Sequence, residues 1–374
     1  MAIGSRRALG CAALAALAAA TPGPAGAQVT LYGLIDVGVE WSNDDANKVV
    51  SFANGTTAAG ESTMRLNNGG SRLGLRGVED LGGGWRAVFA IEHRFSPDTG
   101  STSGGGFNTG NGAFWNAFSW VGLETPYGRI TAGRQYNPVF WTFLTMDYTE
   151  YGGYNNWAGV STQANFLSTI GPIRQDNSVM YRSNPIANVT GYLMYGFGEQ
   201  TTSATRTDMW GAALHWKRGS WERAPGTEWQ AGIAYHSFEV TEPKAATSLE
   251  SVLVAGGSYR NGTFGASLAY SRLELGGGTI GNVMSTLWLN NGLTGVNRYA
   301  GWYLNLLYND VQDFVGVRNG KALQWGLGYI HPLSRKFWIA GFVGANDISP
   351  VSPADSAAAA IDPLRASISI RQFF

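Results

Sequence analysis

From Val29 onward the chain alternates. Val29, Leu31, Ile35, Val37 and Val39 share one face; Thr30, Tyr32, Asp36 and Glu40 share the other. A period of two over about ten residues is a strand with one apolar face. The pattern returns in Arg72–Arg76 and again in Trp85–Phe95, where Trp85, Ala87, Phe89, Ile91 and Phe95 oppose Arg86, Glu92 and Arg94. Alternation of this kind predicts strands at 28–41, 71–79, 84–95, 113–124, 128–135, 176–183, 188–198 and 206–217. It continues at 227–239, 249–260, 263–275, 297–309, 321–331, 336–346 and 363–374.

The connections sort by length. Asp80–Gly84, Thr125–Gly128, Asn184-Pro185, Arg260–Gly262 and His331–Ser334 are tight-turn sequences. Long polar connections lie near 42–70, 96–112, 136–175, 241–248, 310–320 and 347–361. Short turns at one end and long loops at the other are the pattern of a transmembrane β-barrel; a soluble sandwich has no reason to segregate loop length. In lipid every backbone amide needs an internal partner, so a spanning sheet closes on itself. A barrel with both termini on one side needs an even strand number. Val283–Asn290, closed by Asn291-Gly292, supplies the missing strand. The expected fold is an all-β transmembrane antiparallel barrel of 16 strands. Trp41, Phe95, Tyr127, Trp210, Trp216, Trp302 and Tyr329 fall near strand ends, where interfacial aromatic girdles sit.

Composition agrees and narrows the choice. Charged residues are 14% and aromatics 13%, with 52 glycines among 374 residues. The charge share is well below the roughly 25% of a soluble domain, and the apolar share is too high for disorder. After residue 20 no apolar run approaches the roughly 20 residues of a helical span. A net charge of +0 gives no support to nucleic-acid binding. Residues 1–27 read as a signal peptide: Arg6 and Arg7, the Ala/Leu run Ala8–Ala20, then Ala25-Gly26-Ala27 before Gln28. Removing them takes Arg6, Arg7 and Cys11, so 26 basic residues fall to 24 against 26 acidic, and no cysteine remains. Catalysis has little support. The four histidines are scattered, without metal spacing, and there is no Gly-x-Ser-x-Gly elbow. No enzyme activity, cofactor or metal site is expected.

The polar faces of the early strands are rich in arginine. Arg72, Arg76, Arg86, Arg94 and, on the fifth strand, Arg129 should face a polar lumen. Arg134 has the parity of Ile130 and Ala132, which strict alternation turns to lipid. A midplane arginine there would cost about 2–4 kcal/mol. Arg134 is therefore expected at a strand end or after a bulge, turned inward.

With the strands placed, the chain resembles the sixteen-stranded general diffusion porins of Gram-negative bacteria, in the branch typical of beta-proteobacteria. The resembling segments are Val29–Asp36, Ser71–Gly82, Gly128–Gln135, Asp176–Tyr181 and the terminal Phe374. Together and in this order they span residues 28–374, the expected barrel. The resemblance implies an outer-membrane homotrimer of water-filled channels in lipid and lipopolysaccharide, passing small hydrophilic solutes and ions. It implies a third outer loop folded inward as a constriction, at about 136–175, with Asp147 and Glu150 as its acidic residues. It also implies that Phe374 is read by the outer-membrane barrel assembly machinery. Met180 stands where members of this branch often carry a basic residue. Six arginines facing an acidic loop would set a transverse field across a narrow pore. The rival readings are a substrate-specific channel, a barrel serving as adhesin or surface receptor, and a secreted soluble β-enzyme.

Overall fold

The computed structural model of the chain describes residues 27–43, 49–51, 56–58, 60–102, 113–146, 171–199, 208–220, 226–239, 248–276, 278–312, 320–350 and 364–374. The expected signal peptide falls almost wholly outside them. The first strands are β1 (Gln28–Ser42), β2 (Val49–Ser51), β3 (Thr56–Ala58), β4 (Thr63–Asn68), β5 (Arg72–Gly82), β6 (Trp85–Arg94), β7 (Phe118–Thr125) and β8 (Gly128–Tyr136). A short helix, α1 (Pro138–Leu144), follows. Then come β9 (Arg174–Ser183), β10 (Val189–Gly196), β11 (Met209–Gly219), β12 (Glu228–Phe238), β13 (Leu249–Arg260) and β14 (Phe264–Leu275). The chain ends with β15 (Gly278–Leu289), β16 (Gly301–Gln312), β17 (Gly320–Pro332), β18 (Phe337–Pro350) and β19 (Leu364–Phe373).

Each barrel strand pairs antiparallel with its sequence neighbour, and β19 pairs back onto β1 from Leu34↔Phe373 to Ser42↔Arg365. The sheet is therefore closed. Its 17 labelled strands make 16 walls, because β4 and β5 are two halves of one strand along β1. β2 and β3 form a separate hairpin within the first long connection. The sixteenth strand expected at 283–290 is β15, which begins earlier, at Gly278. β4 was not expected: Thr63–Asn68 lies inside the stretch read as a loop over 42–70.

The break between β4 and β5 is a bulge. β4 ends with Val37↔Asn68 and β5 begins with Leu34↔Arg72, one residue out of register. Gly70 there has φ +90, and a Cβ on Gly69 would lie 2.3 Å from Asp36 Oδ2. Glycine is required at both positions. The Arg371 guanidinium from β19 ion-pairs with Asp36 and donates to the Gly69 carbonyl. Ser71 Oγ donates to the Asp36 carbonyl and accepts from the Asp36 amide. Four residues further along β1, Glu40 accepts from Arg65 at 2.5 Å and Arg365 at 2.8 Å. Carboxylates of β1 thus tie the two strands beside it together.

The two faces of the wall differ as the alternation predicts. Leu193, Leu214, Ile233, Leu268, Leu287 and Leu323 point outward and are exposed. Their neighbours Met194, Ala213, Ala234, Ala269, Trp288 and Ala322 point inward and are buried. An exposed apolar exterior on a closed sheet is the surface that lipid covers. Aromatic pairs mark its two rims. Trp229–Tyr259 and Trp302–Tyr329 sit at the short-turn ends of their strands, and Trp210–Tyr235 at the long-loop ends. Loop length does not segregate strictly: residues 220–227 at the short-turn end outnumber residues 313–319 at the long-loop end. β14 and β15 are joined by only residues 276–277 at the long-loop end. Residues 290–300 make an extended connection at the short-turn end.

Candidate pore and its constriction

The inner face encloses a cavity of about 1210 Å³. Four of the six expected wall arginines line it: Arg72, Arg76, Arg94 and Arg129. Among the described residues, Arg182, Lys217 and Arg298 line it too, against the carboxylates of Glu92 and Glu228. The lining charge is cationic.

Alternation on β6 puts Glu92 and Arg94 on the inner face, and pairing places Arg72 opposite Arg94. Glu92 accepts from Tyr32 Oη at 3.1 Å and Arg94 Nε at 3.3 Å, with Arg72 Nε at 3.9 Å. Arg94 and Arg174 each donate to Tyr136 Oη at 3.3 Å. The Arg174 guanidinium lies 4.8 Å from the Tyr136 ring centre and 5.8 Å from that of Phe118. Three guanidinium groups therefore gather around one carboxylate, just where β8 leaves the wall. Such a cluster keeps net positive charge in a place of low dielectric, where charge acts strongly on a passing ion.

What leaves the wall there is the third long connection. Asn137 caps α1, its Oδ1 accepting from the Phe140 amide at 2.9 Å, and Pro138 occupies the first turn. Val139, Phe140, Phe143 and Met146 are buried against Tyr192, Met194, Ala213 and Ala234 of the inner wall. Two wall histidines hold the helix. The Val139 amide donates to His236 Nε2 at 3.2 Å, and Thr142 Oγ1 lies 2.6 Å from His215 Nε2. Met180 belongs to the same apolar cluster. A methionine at that position packs beneath the loop, so its departure from the basic residue of the resembling branch has a structural use. Asp147 and Glu150, with the rest of 147–170, lie outside the described residues.

Two expected arginines are placed differently. Arg86 has inward parity but stands one residue into β6, at the short-turn mouth. It pairs with Glu124 at 2.5 Å and is not among the cavity residues. Glu124 also pairs with Arg129. For Arg134 the anticipated bulge exists: register shifts between Gly133 and Gln135, and Gly133 has φ +124. The bulge does not turn Arg134 into the cavity. Arg134 stands opposite Ser119, pairs with Asp176 and donates to the Asn116 carbonyl at 2.9 Å. Its charge is absorbed at the rim of the wall. Phe374 exchanges backbone hydrogen bonds with Gly33, at 3.4 and 3.2 Å, and so fastens the closing seam.

Arg174, Arg182, Lys217 and Arg298 escaped the sequence reading. Arg182 was within reach, because it shares parity with Ser178 and Met180 along β9. Arg298 was not, because it sits on a connection whose inward course no alternation encodes.

Residues 13–349 match the family model described as Gram-negative porin. Outer membrane porin protein 32 of Delftia acidovorans is 32% identical over 200 residues, 52% of this chain and 50% of that protein. An outer membrane porin protein of Bordetella pertussis is 32% identical over 209 residues, 53% of this chain and 51% of that protein. The alignments thus span about half the length of these curated relatives. The solved anion-selective porin from Comamonas acidovorans superposes with a TM-score of 0.66 at 24% identity, covering 93% of this chain and 100% of that one. That likeness concerns the fold.

Proposed function

The chain belongs to the Gram-negative porin family, and from that premise we propose that it forms a water-filled channel for passive diffusion of small hydrophilic solutes and ions. It is an outer-membrane barrel, as the family and the apolar exterior require. The observation that carries the reading is the lumen itself: a cationic cavity inside a closed wall, with a helix packed against the inner face. Passage needs no turnover. Size is limited by the third connection, 136–175, acting as a constriction loop. Charge is filtered by the basic wall, in which Arg72, Arg76, Arg94 and Arg129 act within the lumen. Asp147 and Glu150 would face them from the loop and complete a transverse field, which orients dipolar solutes and makes apolar ones costly to pass. The excess of lining arginine favours anions. A homotrimer in lipid and lipopolysaccharide, assembled by machinery that reads Phe374, is the corresponding quaternary state.

Liposome swelling tests the reading. Vesicles holding the purified protein should swell in isotonic sugars at rates that fall as the sugar grows. Vesicles that admit no sugar at all would overturn it.

A further inference from the structure

The connection 290–300 crosses the inside of the wall at the short-turn end. Arg260 of β13, Trp288 of β15, Tyr303 of β16 and Trp338 of β18 are buried on the inward face there, and each of them meets it. Trp288 Nε1 donates to the Ala300 carbonyl at 3.2 Å, and Tyr303 Oη donates to the Tyr299 carbonyl at 2.5 Å. The Tyr299 ring meets Trp338 edge-on at 5.4 Å, and Arg260 donates to the Arg298 carbonyl at 2.6 Å. Two asparagines fasten the connection to the next hairpin. Asn291 donates to the Ile330 carbonyl at 3.2 Å and Asn297 to the Arg335 carbonyl at 3.1 Å. A segment held at once by inward side chains from β13 to β18 lies inside the mouth, not below it.

The wall is shaped to receive it. Gly265 of β14 stands in register between Arg260 and Trp288. With no side chain between them, the Arg260 guanidinium reaches to 4.0 Å from the Trp288 ring centre. At Gly301 a Cβ would lie 2.7 Å from Trp288 Nε1, so the chain rejoins the wall flush against that ring. Asn297 and Ala300 are buried, whereas Arg298 is exposed and lines the cavity, braced by the Tyr299 hydroxyl. Arg129, Lys217, Glu228 and Gln230 of β8, β11 and β12 line the same cavity at this end. The passage here is thus bordered by bare wall on one side and by the connection on the other.

We propose that residues 290–300 form a fixed inner collar, a second size-setting element at the short-turn mouth, in series with the constriction loop rooted at the opposite end of β8. Arg298 is the residue that the collar presents to passing solutes. The proposal rests on the reading of the barrel as an open pore. Resistances in series add, so a narrowing at this mouth limits flow in addition to the loop, and pore diameter is itself a source of selectivity.

Single-channel recording in a planar bilayer tests this. In one variant Asn-Gly replaces residues 290–301, joining the paired Leu289 and Trp302 as a tight hairpin. Its single-channel current should exceed that of the wild type, and vesicles holding it should swell faster in the larger sugars. In a second variant, Arg298→Cys, a bulky neutral thiol reagent added to an open channel should lower the current in steps, and sooner from the short-turn side. The same channel before the reagent is the reference, and its openings report that the barrel has folded. Arg218→Cys carries the reagent at the short-turn end of β11 but on the outward face, and its current should not change. Should the shortened chain fail to insert, Arg298→Cys decides alone. Wild-type current in the shortened variant, or a modified Arg298→Cys channel that conducts as before, would overturn the collar and leave the pore standing. An equal fall in Arg218→Cys would assign the effect to the outer surface and overturn the collar too. Absence of any wild-type channel would overturn the pore and the collar with it.

Discussion

At the scale of single residues, identical charges have different fates. Arg76 lines the cavity with its guanidinium 5.5 Å from the Tyr32 ring centre and no carboxylate partner among the described residues. Arg134 is spent on Asp176 and a backbone carbonyl at the rim. Alternation marks Arg76 for the lumen and Arg134 for lipid; Arg134 is expected inward only by way of a strand end or bulge, and the register of β8 against β7 and β9 leaves it at the rim instead. Replacement by alanine should separate them in function. Arg76→Ala is expected to lower anion relative to cation permeability, read as a displaced reversal potential. Arg134→Ala should leave that potential nearly where it was. The opposite ranking would return Arg134 to the lumen. Arg174 makes the complementary point. It stands at the boundary between loop and strand, where no periodicity assigns a face, yet it is buried at the centre of the Glu92 cluster.

At the scale of elements, the strands were legible because each needs only a local rule, period two with turn residues at its ends. β15 was found by parity alone and proved longer than its alternating core. β4 was missed because Thr63–Asn68 holds just two apolar residues among polar neighbours, and its pairing with β1 is what makes it a strand. The bulge joining β4 to β5 is likewise invisible in a chain read residue by residue. Its stability rests on Asp36 and Arg371, whose side chains are 1% and 2% exposed. Asp36→Asn leaves a buried arginine without its counter-charge, a change that typically costs about 3–5 kcal/mol. Urea titration of the barrel folded into vesicles should show a loss of that order. A loss under about 1 kcal/mol, the size of an exposed pair, would mean water reaches the pair. α1 follows the same logic as β4. Its cap, Asn137-Pro138, is readable, but its docking depends on His215 and His236, which are 73 and 97 residues away in sequence. Those histidines looked scattered because their common partner was the loop.

At the scale of the whole molecule, low charge and high glycine have one explanation. Half of each strand faces lipid, so charge concentrates in the lumen and the loops. The outward face should therefore behave as a lipid face. Leu268, 60% exposed near the middle of β14, tests it: Leu268→Arg should destabilise the folded barrel in vesicles by about 2–4 kcal/mol, as expected near the bilayer midplane. A change within about 0.5 kcal/mol, usual for a water-exposed site, would place that face in solvent. Closure of the barrel was legible from lipid physics and strand parity. The distribution of charge along the pore was not, because it depends on which arginines find carboxylates across the register. The measurement that reaches furthest is the zero-current potential of the open channel in a planar bilayer under a salt gradient. A cationic lumen predicts stepwise openings with the potential displaced in the direction of anion permeation. A membrane without steps, or steps with a cation-favouring potential, would contradict it.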